Sequence, residues 1–166
     1  MRIVSHRGYL TGPDPSRENE ELALIEALEK GFDIEFDIWY IVERFWFGHD
    51  TAKKSFSLDT LIHWSSRYSD REFYVHCKNL WALEEMCKLQ KSNIIPFYHN
   101  IDQAILLRNN KIWLHPDAVD SSFLREHSIA MYPTCKAIKW DISLDIDFEN
   151  FYAICTDYPV DLRNSL

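Results

Sequence analysis

The sequence predicts an α/β fold built on a parallel sheet or barrel, and three observations carry that expectation. Strand-like and helix-like patterns alternate through the first hundred residues. The strand candidates are short apolar runs bounded by polar, glycine or proline punctuation. The chain has 166 residues, of which 46% are hydrophobic and 14% aromatic, enough to bury a real core. No repeat, low-complexity tract or linker interrupts it, so residues 1–166 read as one domain. A complete (β/α)8 barrel takes about 250 residues, so any barrel made from this chain has to be a shortened one.

The elements follow in order. Arg2–Ser5 is a short strand running into His6-Arg7-Gly8, and the Gly/Pro/Asp-rich stretch 9–16 is a loop. Glu20–Lys30 reads as a helix with Leu22, Ile25 and Leu28 on one stripe, Asn19 as its cap and Gly31 after its end. Phe32–Trp39 alternates, with Ile34, Phe36 and Ile38 on one face and Asp33, Glu35 and Asp37 on the other. A second β-like run, Ile41–Phe47, ends at Gly48-His49-Asp50. Ser57–Arg67 is a helix capped by Ser57, with Leu58, Leu61 and Ile62 inward. Phe73–Lys78 is a strand, Trp81–Gln90 a helix, and Ile94–Tyr98 and Ile112–His115 are strands. Ala104–Arg108 reads as the first arm of a hairpin turning at Asn109-Asn110. Ser128–Tyr132 and Ala153–Thr156 are the last strands, and helical signal nearly vanishes after residue 100.

Charge narrows the function classes. The formal net charge is −8 and the densest basic pair is Lys53-Lys54, which disfavours binding to a phosphate backbone and predicts no nucleic-acid partner. No run of about 18 apolar residues exists, so no membrane-spanning helix is expected. The first residues lack the apolar core of a secretory signal, which predicts a cytoplasmic protein. Cysteines 77, 87, 135 and 155 show no Cys-x-x-Cys spacing and read as reduced, buried thiols.

Chemistry-bearing side chains gather at predicted strand ends, the edge of a parallel sheet where active sites form. His6 and Arg7 follow the first strand, Glu35 and Asp37 end the second, and His49-Asp50 closes the third segment. Residues i and i+2 of a strand share a face and sit about 6.5–7 Å apart. Two carboxylates so placed on a hydrophobic strand call for a neutralising partner, which a divalent cation supplies; a solvated strand face is the alternative. His6 and His49 can divide proton transfer to and from a reacting oxygen, and Asp50 can fix the tautomer of His49.

His6-Arg7-Gly8, Glu18-Asn19, Glu35-x-Asp37 and Gly48-His49-Asp50, in this order and spacing, resemble the glycerophosphodiester phosphodiesterase family, which is related to phospholipase C-like phosphodiesterases. Ile154-Cys155-Thr156-Asp157-Tyr158-Pro159 is similar to that family's closing strand and loop. The likeness covers about residues 2–50 and is recognisable again at Tyr74–Asn79. It implies a (β/α)8 TIM barrel, here reduced or distorted, with helices missing from the C-terminal half. It also implies a metal-dependent phosphoric diester hydrolase acting on a small-molecule substrate. Carried over, His6 and His49 are the acid/base pair, Arg7 binds phosphoryl oxygens, Glu35 and Asp37 are metal ligands, and Glu18 orients Arg7 or the metal shell. A noncatalytic phosphate-ligand module and a lyase forming a cyclic phosphate are the alternatives.

Two departures from the family qualify this. Where its third strand carries Glu-x-Lys, this chain has His76-x-Lys78: Lys78 stays beside the phosphate, but an imidazole replaces the third carboxylate ligand. With His76 as ligand, magnesium is the expected cation, with manganese, zinc or calcium as alternatives; otherwise Asp102 or another carboxylate completes the shell, or His76 only packs. Residues 51–56 form a short loop where the family carries a roof over glycerol, so a substrate other than simple glycerophosphodiesters is expected. In the unmatched middle, His99, Asp102, Trp113 and His115 read either as substrate contacts or as core and surface residues. The pruned second half would expose sheet surface, where contact with a partner or formation of a homodimer is the expectation.

Overall fold

The computed structural model describes residues 1–100, 102, 104–114, 128–131 and 151–166. In chain order the elements are β1 (Arg2–His6), α1 (Glu21–Glu29), β2 (Asp33–Ile41), β3 (Arg44–Phe47), β4 (Lys54–Phe56), α2 (Leu58–Arg67) and β5 (Phe73–Cys77). There follow α3 (Leu80–Cys87), β6 (Ile94–Phe97), β7 (Ala104–Leu106), β8 (Ile112–Leu114), β9 (Ser128–Met131), β10 (Ala153–Thr156) and α4 (Pro159–Ser165). Seven strands run parallel in the order β6-β5-β2-β1-β10-β9-β8. The first and last described strands are thus neighbours: Val4 pairs with Cys155 and Ser5 with Thr156. No described helix is long and apolar enough to cross a membrane.

The reduced (β/α)8 TIM barrel implied by the family resemblance is not what forms. The sheet is mixed, only four helices are described, and no barrel closes among the described residues. Closure would need β6 to pair with β8, but both edges of β8 are taken, one by β9 and the other by the antiparallel β7. The hairpin read at Asn109-Asn110 therefore forms, with Asn110 in the left-handed region at φ 60°, and it is this hairpin that blocks the ring. Side chains, not backbone, span the gap: Trp113 of β8 lies 4.8 Å from the Phe97 ring of β6 and 5.6 Å from that of Tyr74.

Strand alternation divides the core in two. Ile34, Phe36 and Ile38 of β2 and Phe73, Val75 and Cys77 of β5 face the helices, packing with Leu24, Leu28, Leu61, Trp64 and Met86. Val4, Tyr74, Ile95, Phe97, Trp113, Ile129, Ala153 and Cys155 fill the opposite, concave face. The same alternation puts Glu35, Asp37 and His76 on that concave face at the carboxyl ends of the strands, above the apolar layer.

Several local expectations need correction. The β-like run 41–47 is not continuous with one strand: β2 ends at Ile41, turns through Val42 (φ 50°) and Glu43 (φ 58°), and returns antiparallel as β3. Two consecutive left-handed residues make the type I′ turn that usually selects Asn-Gly, so Val-Glu gives no sequence signal for it. The stretch 51–56 is not simply a loop, because its second half is β4, paired with β3. Helix α1 has no side-chain cap, since Asn19 is buried elsewhere. Ser57 does cap α2, accepting from the Asp59 N–H at 3.2 Å. Helix α4 goes unannounced by periodicity, although Pro159 in its first turn is a start signal.

The Val42-Glu43 turn gives a stability test. A β-branched residue with positive φ is strained by about 1–2 kcal/mol. Val42 is 87% exposed, so little packing is lost on its replacement. The pair Val42→Asn with Glu43→Gly is expected to stabilise the chain by about 1 kcal/mol in urea unfolding; an unchanged or lowered midpoint would refute the strain.

Candidate functional site

The site is assembled from strand ends that register alone brings level. His6 pairs with Glu35 across β1 and β2, and Asp37 pairs with His76 across β2 and β5. All four are buried, with Asp37 fully so. Ligand atoms of Glu35, Asp37 and His76 lie within 4.8 Å of one another, the one such group found among the described residues.

Asp37 is the centre of charge. One carboxylate oxygen, Oδ2, accepts from Asn19 Nδ2 at 3.1 Å and lies 3.2 Å from Arg7 Nε. The other, Oδ1, lies 2.9 Å from His76 Nδ1 and 3.6 Å from Lys78 Nζ. Burial alone would raise the pKa of Asp37, but the His76 imidazole and the Arg7 and Lys78 cations outweigh it and hold the group below the usual carboxylate range. Glu35 goes the other way: burial first, then the Asp37 charge, push its pKa well up, against the pull of Arg7 and Lys78. One residue of the i, i+2 pair is therefore firmly ionised and the other is held toward its neutral form.

Arg7 is clamped for a purpose its backbone reveals. Its φ is 52°, a left-handed conformation that turns the chain sharply after β1 and aims its N–H at Glu35 Oε2, 3.3 Å away. The guanidinium donates to Glu18 Oε2 at 3.1 Å, and Tyr9 donates to the same oxygen at 3.0 Å. Lys53 reaches the other Glu18 oxygen at 3.5 Å. Lys54 pairs with Glu20 and Glu21 at 3.5 and 3.8 Å. The basic pair of the sequence is thus spent on acids around the start of α1.

Burial lowers the pKa of His76, against the pull of Asp37, and so favours its neutral form. Its ring stacks against Phe97 at 5.0 Å with planes 5° apart and against His99 at 4.5 Å with planes 11° apart. His6 is oriented from the far end of the chain: Asp157 Oδ1 lies 2.5 Å from its Nδ1, and Glu35 Oε2 lies 3.8 Å from its Nε2. A carboxylate on Nδ1–H leaves Nε2 as the basic nitrogen.

Three buried polar atoms in this cluster, Arg7 Nε, Asp37 Oδ1 and His76 Nε2, make no well-aligned side-chain hydrogen bond, although Asp37 Oδ1 lies 2.9 Å from His76 Nδ1. Arg7 and Asp37 are within ion-pair distance of each other but not aligned for that bond. Buried polar groups are otherwise almost always satisfied. Two buried carboxylates and an imidazole within 4.8 Å of one another, with Arg7 and Lys78 beside them, fit a cation with an anion bound to it, so the residues present suit a divalent metal.

The structure brings together His6, Arg7, Glu18, Glu35, Asp37, His76 and Lys78 and adds His99 through its stack. His49 is placed at the rim. The Gly48 N–H donates to the Asp37 carbonyl at 3.1 Å, and the His49 side chain meets Asp50 at 2.6 Å. Gly48 itself permits that turn: its φ is 139°, and a Cβ there would meet the Thr51 carbonyl oxygen at 1.9 Å. Trp113 is 4% exposed in the concave core, which makes it a packing residue, and Asp102 is exposed. His115 and Cys135 lie outside the described residues; Cys77 and Cys155 are buried free thiols, whereas Cys87, also free, is exposed and not buried as expected.

Asp157 and Asn19 are the site residues that the sequence reading did not assign. Asn19, with φ 57°, also accepts from the Asp37 N–H at 2.9 Å, so its amide brackets Asp37 from both sides. Glu-Asn just ahead of a helix was the available signal for Asn19, and a polar residue ending the last strand was that for Asp157. Neither a scan against protein-family models nor a search of curated proteins finds a match for this chain.

Proposed function

We propose that this is a divalent-cation centre for cleavage of a phosphodiester, with Glu35, Asp37 and His76 as the protein ligands. The observation that carries the reading is the buried group Glu35, Asp37 and His76, whose ligand atoms lie within 4.8 Å of one another at the carboxyl ends of parallel strands. Ligand groups with the Arg7 and Lys78 cations beside them suit a metal-bound phosphoryl group and suit a neutral ligand poorly.

Arg7 offers a fork of donors to phosphoryl oxygens, held in place by Glu18. Lys78, with Arg7, adds positive charge where negative charge develops. His6, with Asp157 behind its Nδ1, presents Nε2 to take a proton from the attacking hydroxyl. His49, paired with Asp50 at the rim, is the donor to the leaving oxygen. A bound cation would supply Lewis acidity toward the phosphoryl oxygen.

The test is turnover of bis(4-nitrophenyl) phosphate with added divalent cations. Activity is expected to fall by about 10²–10⁴-fold in His6→Ala and His49→Ala. Binding of phosphate with no turnover by the wild type would leave a noncatalytic module. A cyclic phosphate among products of a hydroxyl-bearing diester, seen by phosphorus NMR, would assign a lyase.

A further inference from the structure

We propose that His76 makes this centre select a first-row transition cation, such as manganese or zinc, over calcium and magnesium. The inference rests on the cation reading above and names which cation that site takes.

Ligand count argues first. Asp37 Oδ2 is engaged by Asn19 and Arg7, and Oδ1 faces His76 Nδ1 at 2.9 Å and Lys78 Nζ at 3.6 Å, so Asp37 can offer a cation Oδ1 alone. Glu35 Oε2 receives the Arg7 N–H at 3.3 Å and faces His6 Nε2 at 3.8 Å, which leaves Oε1 as the oxygen that carboxylate can offer. With His76, the protein then offers three donors, two oxygens and a nitrogen. Calcium takes 6–8 oxygen ligands and leans on bidentate carboxylates, which this arrangement withholds. Three protein donors that include an imidazole are the usual set for borderline transition ions.

Rigidity argues second. His76 is 8% exposed and its ring stacks on Phe97 and on His99, two rings that lie 6.1 Å from each other, while ladder pairing to Asp37 fixes its height on the sheet. A fixed imidazole cannot withdraw to let water complete an all-oxygen shell. Arg7 and Lys78 weaken binding of every divalent ion alike, because they act through charge that all of them share. Donor type therefore decides the preference among ions.

The experiment uses the metal-stripped full chain and titrates Mn2+, Mg2+ and Ca2+ by calorimetry, with pulsed EPR on the Mn2+ complex. Mn2+ is expected to bind at least about tenfold more tightly than Ca2+ or Mg2+. The EPR modulation is expected to show a directly bound nitrogen that His76→Gln removes, and His76→Glu should narrow or reverse the preference. Mn2+ bound without nitrogen coupling, or Ca2+ bound as tightly, overturns the selectivity while the cation centre survives. Absence of binding by all three ions overturns the centre itself. Should His76→Glu fail to fold, the nitrogen signal of the wild type decides alone.

Discussion

Asp37→Ala is expected to cost about 3–5 kcal/mol of folding stability, the usual result of removing one partner from a buried ionic network. Asp37 has no exposed surface, and Arg7, Lys78, His76 and Asn19 all converge on its two oxygens. Without the carboxylate, the half-desolvated Lys78 ammonium loses its counter-charge, the Arg7 guanidinium keeps Glu18 but loses its buried partner, and the Asn19 amide loses its acceptor. For a chain of this size the loss corresponds to a drop of about 10 °C in Tm. Asp37→Asn separates charge from shape: it keeps an acceptor for Asn19 but should recover little, because the charge is what the cations need. Adding Lys78→Met to Asp37→Ala should return part of the loss by removing one stranded cation. The folded-state pKa of Asp37 lies below its unfolded value, so its contribution is complete above the unfolded pKa of about 3.9 and is lost as pH falls through the folded value. Urea unfolding of the wild type and these variants at pH 7 and pH 3 checks both points. Asp37→Ala within 1 kcal/mol of wild type at pH 7 would show that the network carries no net stability.

What the sequence makes legible is what one segment decides alone. Alternation along 32–39 places Glu35 and Asp37 together on one face, and the Ser57 cap and the Asn109-Asn110 turn are local chemistry. Long-range pairing is not local. His6 meets Asp157 because β1 and β10 are neighbours, 151 positions apart in the chain, and no local pattern announces that ladder. Barrel closure failed as an expectation for a related reason. The hairpin was read correctly, but its consequence, that β7 seals the edge β6 would need, appears only once both edges of β8 are assigned. Asn19 misled because asparagine before a helix serves equally well as a cap or as a buried bracket. Which one forms depends on whether an unpaired acid waits nearby, and Asp37 does.

Glu35→Gln is expected to do the opposite of the Asp37 change and stabilise the metal-free protein. Glu35 is 2% exposed beside an ionised Asp37, and both burial and that charge disfavour its ionised form. An acid whose folded pKa exceeds its unfolded value of about 4.3 holds its proton longer in the folded state. Stability therefore falls as pH rises from the unfolded toward the folded pKa, by up to about 1.4 kcal/mol per pH unit. Glutamine is nearly isosteric, still offers an oxygen to the Arg7 N–H, and has no proton to lose. With a chelator present, the variant should match wild type near pH 4 and exceed it by about 1–3 kcal/mol at pH 7. Saturating divalent cation should reverse the order, because a bound ion favours ionised Glu35 and stabilises only the chain that can ligate it. Denaturant titrations at pH 4 and 7, with and without cation, give all four stabilities. A variant less stable than wild type at pH 7 in chelator would mean that Glu35 is held by its neighbours as a structural acid, and that its burial needs no cation to explain it.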